Sequence, residues 1–289
     1  DAAGALATPA TVVRYTGALD EAGDTLHVAG RTVELQHYLV AAFVEIVAPT
    51  VVRFHDLSGW LGFLDDADLA RRTGQFSSAV GDPRLRLGDR DVLADAFTVE
   101  CPRVLHVDRE GRVTAGPQGA DLGSVRELCR ILDTPLPRST ALAGVAPAGE
   151  VSAGLAERPW LARYLRATDL IAAAGLQSDQ RLAGFGWAPL EDGRADAEVR
   201  PRDPFLVSTA DGPLLVDLST RRRQRLSESA AVVVGAVQSS ASIERATERA
   251  VDALEITAAA ARALCDEARE LLSVRCGIPL SRPTAGVRA

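Results

Sequence analysis

Phe205-Leu206-Val207-Ser208-Thr209-Ala210-Asp211-Gly212-Pro213-Leu214-Leu215-Val216-Asp217-Leu218 is the stretch that decides the fold of this chain. Its two apolar runs, residues 205–209 and 214–218, meet across 210–213, where Asp211-Gly212 supplies the positive φ that a tight turn needs, so a β-hairpin is predicted. A second turn at Ser219-Thr220-Arg221 leads into a short third strand ending near Leu226. Ser227 stands where a helix N-cap belongs, ahead of the apolar run 230–234, and that helix should stop near Gln238. Ser242 caps a second helix in which Ile243, Ala246, Ala250, Val251 and Leu254 fall on one face of a 3.6-residue period, leaving Arg245, Glu248, Arg249 and Asp252 to water. Thr257 caps a third, with Ala261, Leu264, Cys265, Ala268, Leu271 and Leu272 as its apolar stripe, and Gly277 is placed to close it with a left-handed residue.

Three short strands followed by three helices over residues 203–280 are the order of a winged-helix module. With Leu226-Ser227-Glu228-Ser229-Ala230-Ala231 opening the first helix and Ser242-Ile243-Glu244 the second, this stretch resembles the PqqD-like recognition domain used in ribosomally made peptide natural products. The resemblance covers only the C-terminal part and lies in pattern rather than in a catalytic motif. It implies a domain that binds the leader segment of a precursor peptide as an added strand beside its third strand, in a groove closed by its third helix. On this chain the groove would run between residues 222–226 and 258–272, with Arg222, Arg223, Arg225, Leu264 and Ala268 as the peptide-binding residues. The same plan also serves DNA binding, dimerisation and domain packing.

Outward from the module, residues 191–203 are charged and proline-bearing, a connection. Pro159 suits the first turn of a helix carrying Trp160, Leu161, Tyr164, Leu165 and Ile171 and ended by Gly175. Residues 134–157, rich in Ala, Pro, Gly and Ser, have the composition of a loop or linker. Three units follow: an N-terminal mixed α+β domain over 1–133, a linker and helical connection over 134–202, and the winged helix over 203–280. In the first unit, Leu26, Val28, Val33 and Leu35 flank Ala29-Gly30 as a hairpin with one buried face. Residues 38–47 are apolar enough for a buried helix, stopped by Pro49. Asp65 or Asp66 can cap a helix through Leu69 towards Val80, with Asp66 and Asp68 near its positive end. Residues 103–107 and 112–115 flank a turn at 108–111, and Leu122, Val125, Leu128, Cys129 and Leu132 make a helical stripe.

The chain has 289 residues, is 47% hydrophobic and carries a formal charge of -7, so it can bury a substantial core and presents no general basic field for nucleic acid phosphates. It contains no Lys, Met or Asn. Such bias suggests a high-GC bacterium. The absence of lysine removes a Walker A phosphate loop, a Schiff-base site for pyridoxal phosphate and a kinase-type nucleotide lysine. No apolar run approaches the length of a membrane span and no signal peptide is recognisable, so a cytoplasmic location is expected. Cys101, Cys129, Cys265 and Cys276 lack C-x-x-C spacing, and free thiols rather than disulfides are expected, with Cys129 and Cys265 on helix interior faces.

His106-x-Asp108 matches two ligands of the iron-binding facial triad, whose third should be a downstream histidine. None follows His106, so a hairpin histidine beside turn acids is the preferred reading. His55-Asp56 could serve acid/base chemistry or ligate haem, since imidazole titrates near neutrality, or form a capping pair. Cys101 and His106, five residues apart on an extended chain, point to opposite faces about 16 Å apart and cannot form a nucleophile–base pair without a bend. Gly184-Phe185-Gly186 lacks the third glycine of a dinucleotide loop and reads as a turn beside Trp187. Arg221-Arg222-Arg223-Gln224-Arg225 is the one concentrated basic patch, where guanidinium groups could hold acidic side chains of a peptide.

The leading expectation is a cytoplasmic accessory or modifying protein of antibiotic-type ribosomal peptide biosynthesis, with a precursor peptide and a modifying enzyme as partners and no cofactor. The alternatives are a haem- or iron-dependent oxygenase, with His55, His106 and Asp108 as its candidate residues, and a winged-helix DNA-binding regulator.

Overall fold

The computed structural model describes residues 13–174 and 180–280, and the chain is of the α+β class. It opens with an antiparallel ribbon of β1 (Tyr15–Gly17), β2 (Thr25–Val28) and β3 (Arg31–His37). The β2–β3 hairpin turns on Ala29 and Gly30, at φ 48° and 74°, the two-residue turn whose twist matches that of its strands. As expected, Leu26 pairs with Val33, and Leu35 further along is buried. A single helical turn, α1 (Tyr38–Ala41), leads to β4 (Thr50–Arg53), and α2 (Leu57–Thr73) with α3 (Ser78–Gly81) leads to β5 (Leu85–Leu87). β3, β4 and β5 pair in parallel, so the five strands form one mixed sheet in chain order.

Two expectations are corrected here. Residues 38–47 are not a buried helix: beyond α1 the chain leaves helical geometry, and Phe43 is 88% exposed while Tyr38, Ala41 and Ile46 alone turn fully inward. Apolar density did not specify which side faces the core. The helix expected to start at Asp65 or Asp66 begins at Leu57, because the Asp56 carboxylate accepts from the Gly59 N–H at 2.8 Å, and it ends at Gly74 in the left-handed region. Asp66 sits mid-helix and accepts the Tyr38 hydroxyl proton at 2.8 Å, while Asp68 pairs with Arg158 at 2.6 Å.

Further along come α4 (Arg90–Ala94), β6 (Val99–Glu100), the expected hairpin of β7 (His106–Val107) and β8 (Arg112–Thr114), then β9 (Asp121–Ser124) and α5 (Leu128–Leu132). The helical stripe 122–132 does not form. Leu122 lies in β9, a 3-10 turn follows, and α5 buries Ile131 and exposes Cys129. Nor are residues 134–157 a loop: β10 (Leu136–Pro137) pairs with β6, α6 (Ala148–Ala156) follows, and Leu142, Val145, Val151 and Leu155 join the main core. Small residues there serve close packing rather than flexibility; a Cβ on Gly154 would lie 2.7 Å from Leu64. α7 (Leu161–Ala174) carries the expected Leu161, Tyr164 and Leu165 into the core, while its expected stop at Gly175 lies outside the described residues.

Gly184 and Gly186, at φ 85° and 68°, form the expected turn between β11 (Arg181–Ala183) and β12 (Gly186–Trp187) and drive Phe185 into the core. After β13 (Ala197–Glu198) comes the decisive stretch: β14 (Phe205–Thr209), β15 (Gly212–Asp217) and β16 (Arg222–Arg225), antiparallel, with a two-residue turn at Ala210-Asp211 and Gly212 at φ 101°. α8 (Glu228–Gln238), α9 (Ile243–Leu254) and α10 (Ala258–Leu271) follow, and Ser227, Ser242 and Thr257 each accept the N–H three residues on. β17 (Ile278–Pro279) returns to pair with β13.

Gly277 does not close α10. Ser273 takes the left-handed conformation at φ 57°, and Gly277 is needed instead for close approach, since a Cβ there would lie 2.6 Å from the Glu198 carbonyl oxygen and 2.7 Å from that of Gln238. Arg249 does not face water either. It is 2% exposed and makes a bidentate pair with Asp192, 2.7 and 2.9 Å, with further bonds to the Ser239 carbonyl and the Ser239 and Ser240 hydroxyls.

The C-terminal sheet runs β12-β11-β14-β15-β16, and its central strands β14 and β15 are covered on both faces. Phe205, Val207 and Val216 join the aromatic core built on Trp60, Phe63, Tyr164 and Phe185. Leu206 and Leu215 pack the other way, against Val234, Val237, Ala250, Ala261 and Cys265 of the three helices. Period-two alternation delivers successive residues of one strand to opposite layers, so a single sheet divides two cores.

Candidate functional site

Of the five strands in that sheet, the two edges differ. At the β12 edge, Gly186 lies so near the end of α2 that a Cβ would fall 2.3 to 2.5 Å from the Thr73 and Gly74 backbone, and the Arg71 guanidinium donates to the Gly184 carbonyl at 2.8 Å. That edge is covered. β16, at the other end, pairs among the described residues with β15 alone, and all four of its residues are exposed.

Register identifies what the open edge offers. Leu226 N–H donates to the Pro213 carbonyl at 3.0 Å, and Gln224 and Arg222 stand opposite Leu215 and Asp217. Because hydrogen-bonded and non-hydrogen-bonded pairs alternate in an antiparallel ladder, the backbone of Arg222 and Gln224 turns towards β15 while the N–H and C=O of Arg223 and Arg225 turn outward. The side chains divide in the other sense. Arg222 and Gln224 share the helix-side face with Leu215, whereas Arg223 and Arg225 share the opposite face with Val216 and Leu214.

On the helix side a shallow groove is lined by Arg222 and Gln224 from β16, by Leu215 and Asp217 from β15, and by Leu271 and Leu272 at the end of α10. Leu264 is exposed one heptad before Leu271 and so lies on the same line of the helix. Of the residues expected to touch a peptide, the structure therefore brings Arg222 to the groove and leaves Leu264 accessible. It places Arg223 and Arg225 on the reverse face, and it buries Ala268 in the helical core, where it has no surface to offer. The mismatch has a simple origin: one run of arginines on an extended chain must split between two faces. Gln224, neutral within the arginine run, also lines the groove, and its even spacing from Arg222 is the sequence signal for that.

The three arginines differ in commitment. Arg225 pairs with Asp211 at 2.9 Å, both side chains being exposed. Neither Arg222 nor Arg223 has an ion-pair or hydrogen-bonded side-chain partner among the described residues.

The histidine candidates lie on separate elements, His55 between β4 and α2 and His106 on β7. Asp108 accepts from the Glu110 and Arg112 N–H groups and from the Arg112 guanidinium, which holds its carboxyl below the usual range and uses it to shape the β7–β8 turn. His106 lies on β7 ahead of that turn. His55 stacks on His37, ring centroids 5.2 Å apart, with its Nε2 buried and without a partner. Burial, then the neighbouring His37 and Arg53, push the His55 imidazole down, so it favours the neutral form. His37 Nε2 stands 3.8 Å from an Asp56 oxygen and its Nδ1 accepts the Leu39 N–H, capping α1 as Asp56 caps α2. Of the expected His55-Asp56 capping pair, Asp56 caps a helix, while the capping histidine beside it is His37 rather than His55. Among the described residues no group of three or more His, Cys, Asp and Glu side chains is placed to hold a metal ion, and no helix is long and apolar enough to cross a membrane.

No family model, curated protein or solved structure matches this chain.

Proposed function

We propose that this chain captures an extended, acidic peptide by strand addition along β16, as a cytoplasmic accessory component of ribosomal peptide natural-product biosynthesis in which the peptide is a precursor leader and the partner is its modifying enzyme. The observation that carries the reading is the open edge itself: a strand with outward main-chain donors and acceptors at Arg223 and Arg225, bordered by a groove reaching the apolar end of α10. Native proteins cover or blunt exposed edges; the other edge of the same sheet is covered, whereas β16, though short and arginine-bearing, keeps its outward main-chain groups accessible. Main-chain bonds supply affinity in this mode and alternate side chains supply selectivity. Arg222, which has no side-chain partner among the described residues, favours carboxylates on the groove side.

The test is selection of a random-peptide library on the intact protein, followed by hydrogen exchange with a selected peptide bound. Enriched sequences should alternate apolar and acidic residues, and the Arg223 and Arg225 amides should gain protection. A library that yields no binder, or binders that leave β16 unprotected, defeats the reading.

A further inference from the structure

Besides the groove, the described residues form a larger, open cleft of about 1580 Å³ between the N-terminal body and the C-terminal sheet. It exceeds the roughly 300–1,000 Å³ of a small-molecule pocket, which favours a stretch of chain as occupant. Pro204, Asp217 and Ser273 line both the groove and the cleft. The cleft also takes in Ser219 and Thr220, the turn that precedes β16, so the groove opens into it at the Arg222 end.

The wall next to that junction carries positive charge in excess. Arg166 of α7 and Arg200, Arg202 and Arg275 all line the cleft, and none of the four is within ion-pair distance of a carboxylate among the described residues. Arg166 also keeps its Nε buried with no acceptor. Two acids stand at the same end and keep their charge, so four arginines face two carboxylates there: Asp203 accepts the Arg275 N–H at 2.9 Å, and Asp217 accepts from the Ser219 and Thr220 hydroxyls at 2.5 and 2.7 Å. Elsewhere in the lining Asp95, Glu100 and Asp169 are paired with Arg138, Arg103 and Arg90, and Asp89 and Asp91 have no ion-pair partner among the described residues, so acids balance arginines over the whole cleft and the positive excess is local to the junction.

We infer that the cleft is a second binding site continuous with the edge, and that it receives the carboxylate-bearing segment of the same peptide that follows, C-terminally, the residues added to β16. This rests on the strand-addition reading above. The direction follows from the sheet: β14, β15 and β16 are antiparallel throughout, and a guest continuing that pattern runs from Arg225 towards Arg222, so its C-terminal extension passes the 218–221 turn and enters the cleft. Arginines preorganised on a concave wall bind carboxylates with charge-assisted, often bidentate, hydrogen bonds.

The experiment uses peptides selected on the intact protein and shown to protect β16, each extended by a short run of glutamates or of serines, at its C-terminus or its N-terminus, with affinity read by fluorescence anisotropy. The C-terminal glutamate extension should tighten binding about tenfold over serine, the N-terminal one should not, and the gain should vanish in Arg202→Ala/Arg275→Ala while the unextended peptide binds that variant as it binds the wild type. Equal affinity for C-terminal glutamate and serine extensions, or a gain from the N-terminal extension alone, overturns the inference and leaves the edge reading standing. Absence of any β16-protecting peptide overturns both.

Discussion

Asp192→Asn should destabilise the chain strongly at neutral pH and progressively less as the pH falls. Asp192 is tied to the buried Arg249 by two charge-assisted bonds of 2.7 and 2.9 Å, and the Arg249 hydrogen bond, the largest cause, pulls its carboxyl down to about 2 from an ordinary 3.8. A depressed carboxyl contributes stability that is fully present above its unfolded-state value and is lost as the pH drops through the folded one. The shift is worth about 2 kcal/mol, delivered between roughly pH 4 and pH 2. Removing the charge also leaves Arg249 buried without a counter-ion, a situation that costs about 3–5 kcal/mol, and the two figures describe one interaction rather than adding. The expected loss at pH 7 is therefore a few kcal/mol, a fall in Tm on the order of 10 °C. Urea unfolding of wild type and variant at pH 7 and near pH 3 measures it. Asp192→Asn/Arg249→Met should recover part of the loss, because no uncompensated charge remains buried. A variant within about 0.5 kcal/mol of wild type at pH 7, or a deficit unchanged near pH 3, refutes the reasoning. The consequence reaches the candidate site, because Asp192 anchors the strap that carries Arg200, Arg202 and Asp203 to the cleft.

Three further outcomes follow from geometry. Gly186→Ala combines a left-handed φ of 68° with a Cβ forced within 2.5 Å of the Thr73–Gly74 backbone, and chemical denaturation should show a loss of roughly 2–4 kcal/mol. Phe63→Ala, at the centre of the aromatic cluster, should cost about 3–5 kcal/mol, whereas Phe43→Ser, at an 88% exposed site, should change stability by less than about 0.5 kcal/mol. Arg222→Glu should weaken a selected acidic peptide about fivefold by calorimetry, more than Arg223→Glu together with Arg225→Glu, because only Arg222 faces the groove and an exposed pair is worth at most about 1 kcal/mol.

The local sequence alone determined the C-terminal succession of strands and helices. An Asp-Gly turn, three N-cap hydroxyls and a 3.6-residue apolar period act within a few residues, so Ser227, Ser242 and Thr257 cap their helices wherever the rest of the chain goes. It also marked the Gly184–Gly186 turn, the Ala29-Gly30 hairpin and the arginine-bearing strand. Tertiary structure alone decided which side of each element was used. Arg249 reads as a surface residue on its own helix, and only Asp192, brought in by a strap 57 residues earlier, makes its burial affordable. Residues 134–157 read as linker because small residues carry no period, yet their smallness is what lets α6 pack against Trp60 and Leu64. The same holds for the site: five consecutive residues named the arginines, but pairing with β15 divided them between a groove and the opposite face, and the cleft exists only because residues distant in sequence meet there. Backbone geometry is set by neighbours along the chain, whereas burial and charge partnership are set by neighbours across space.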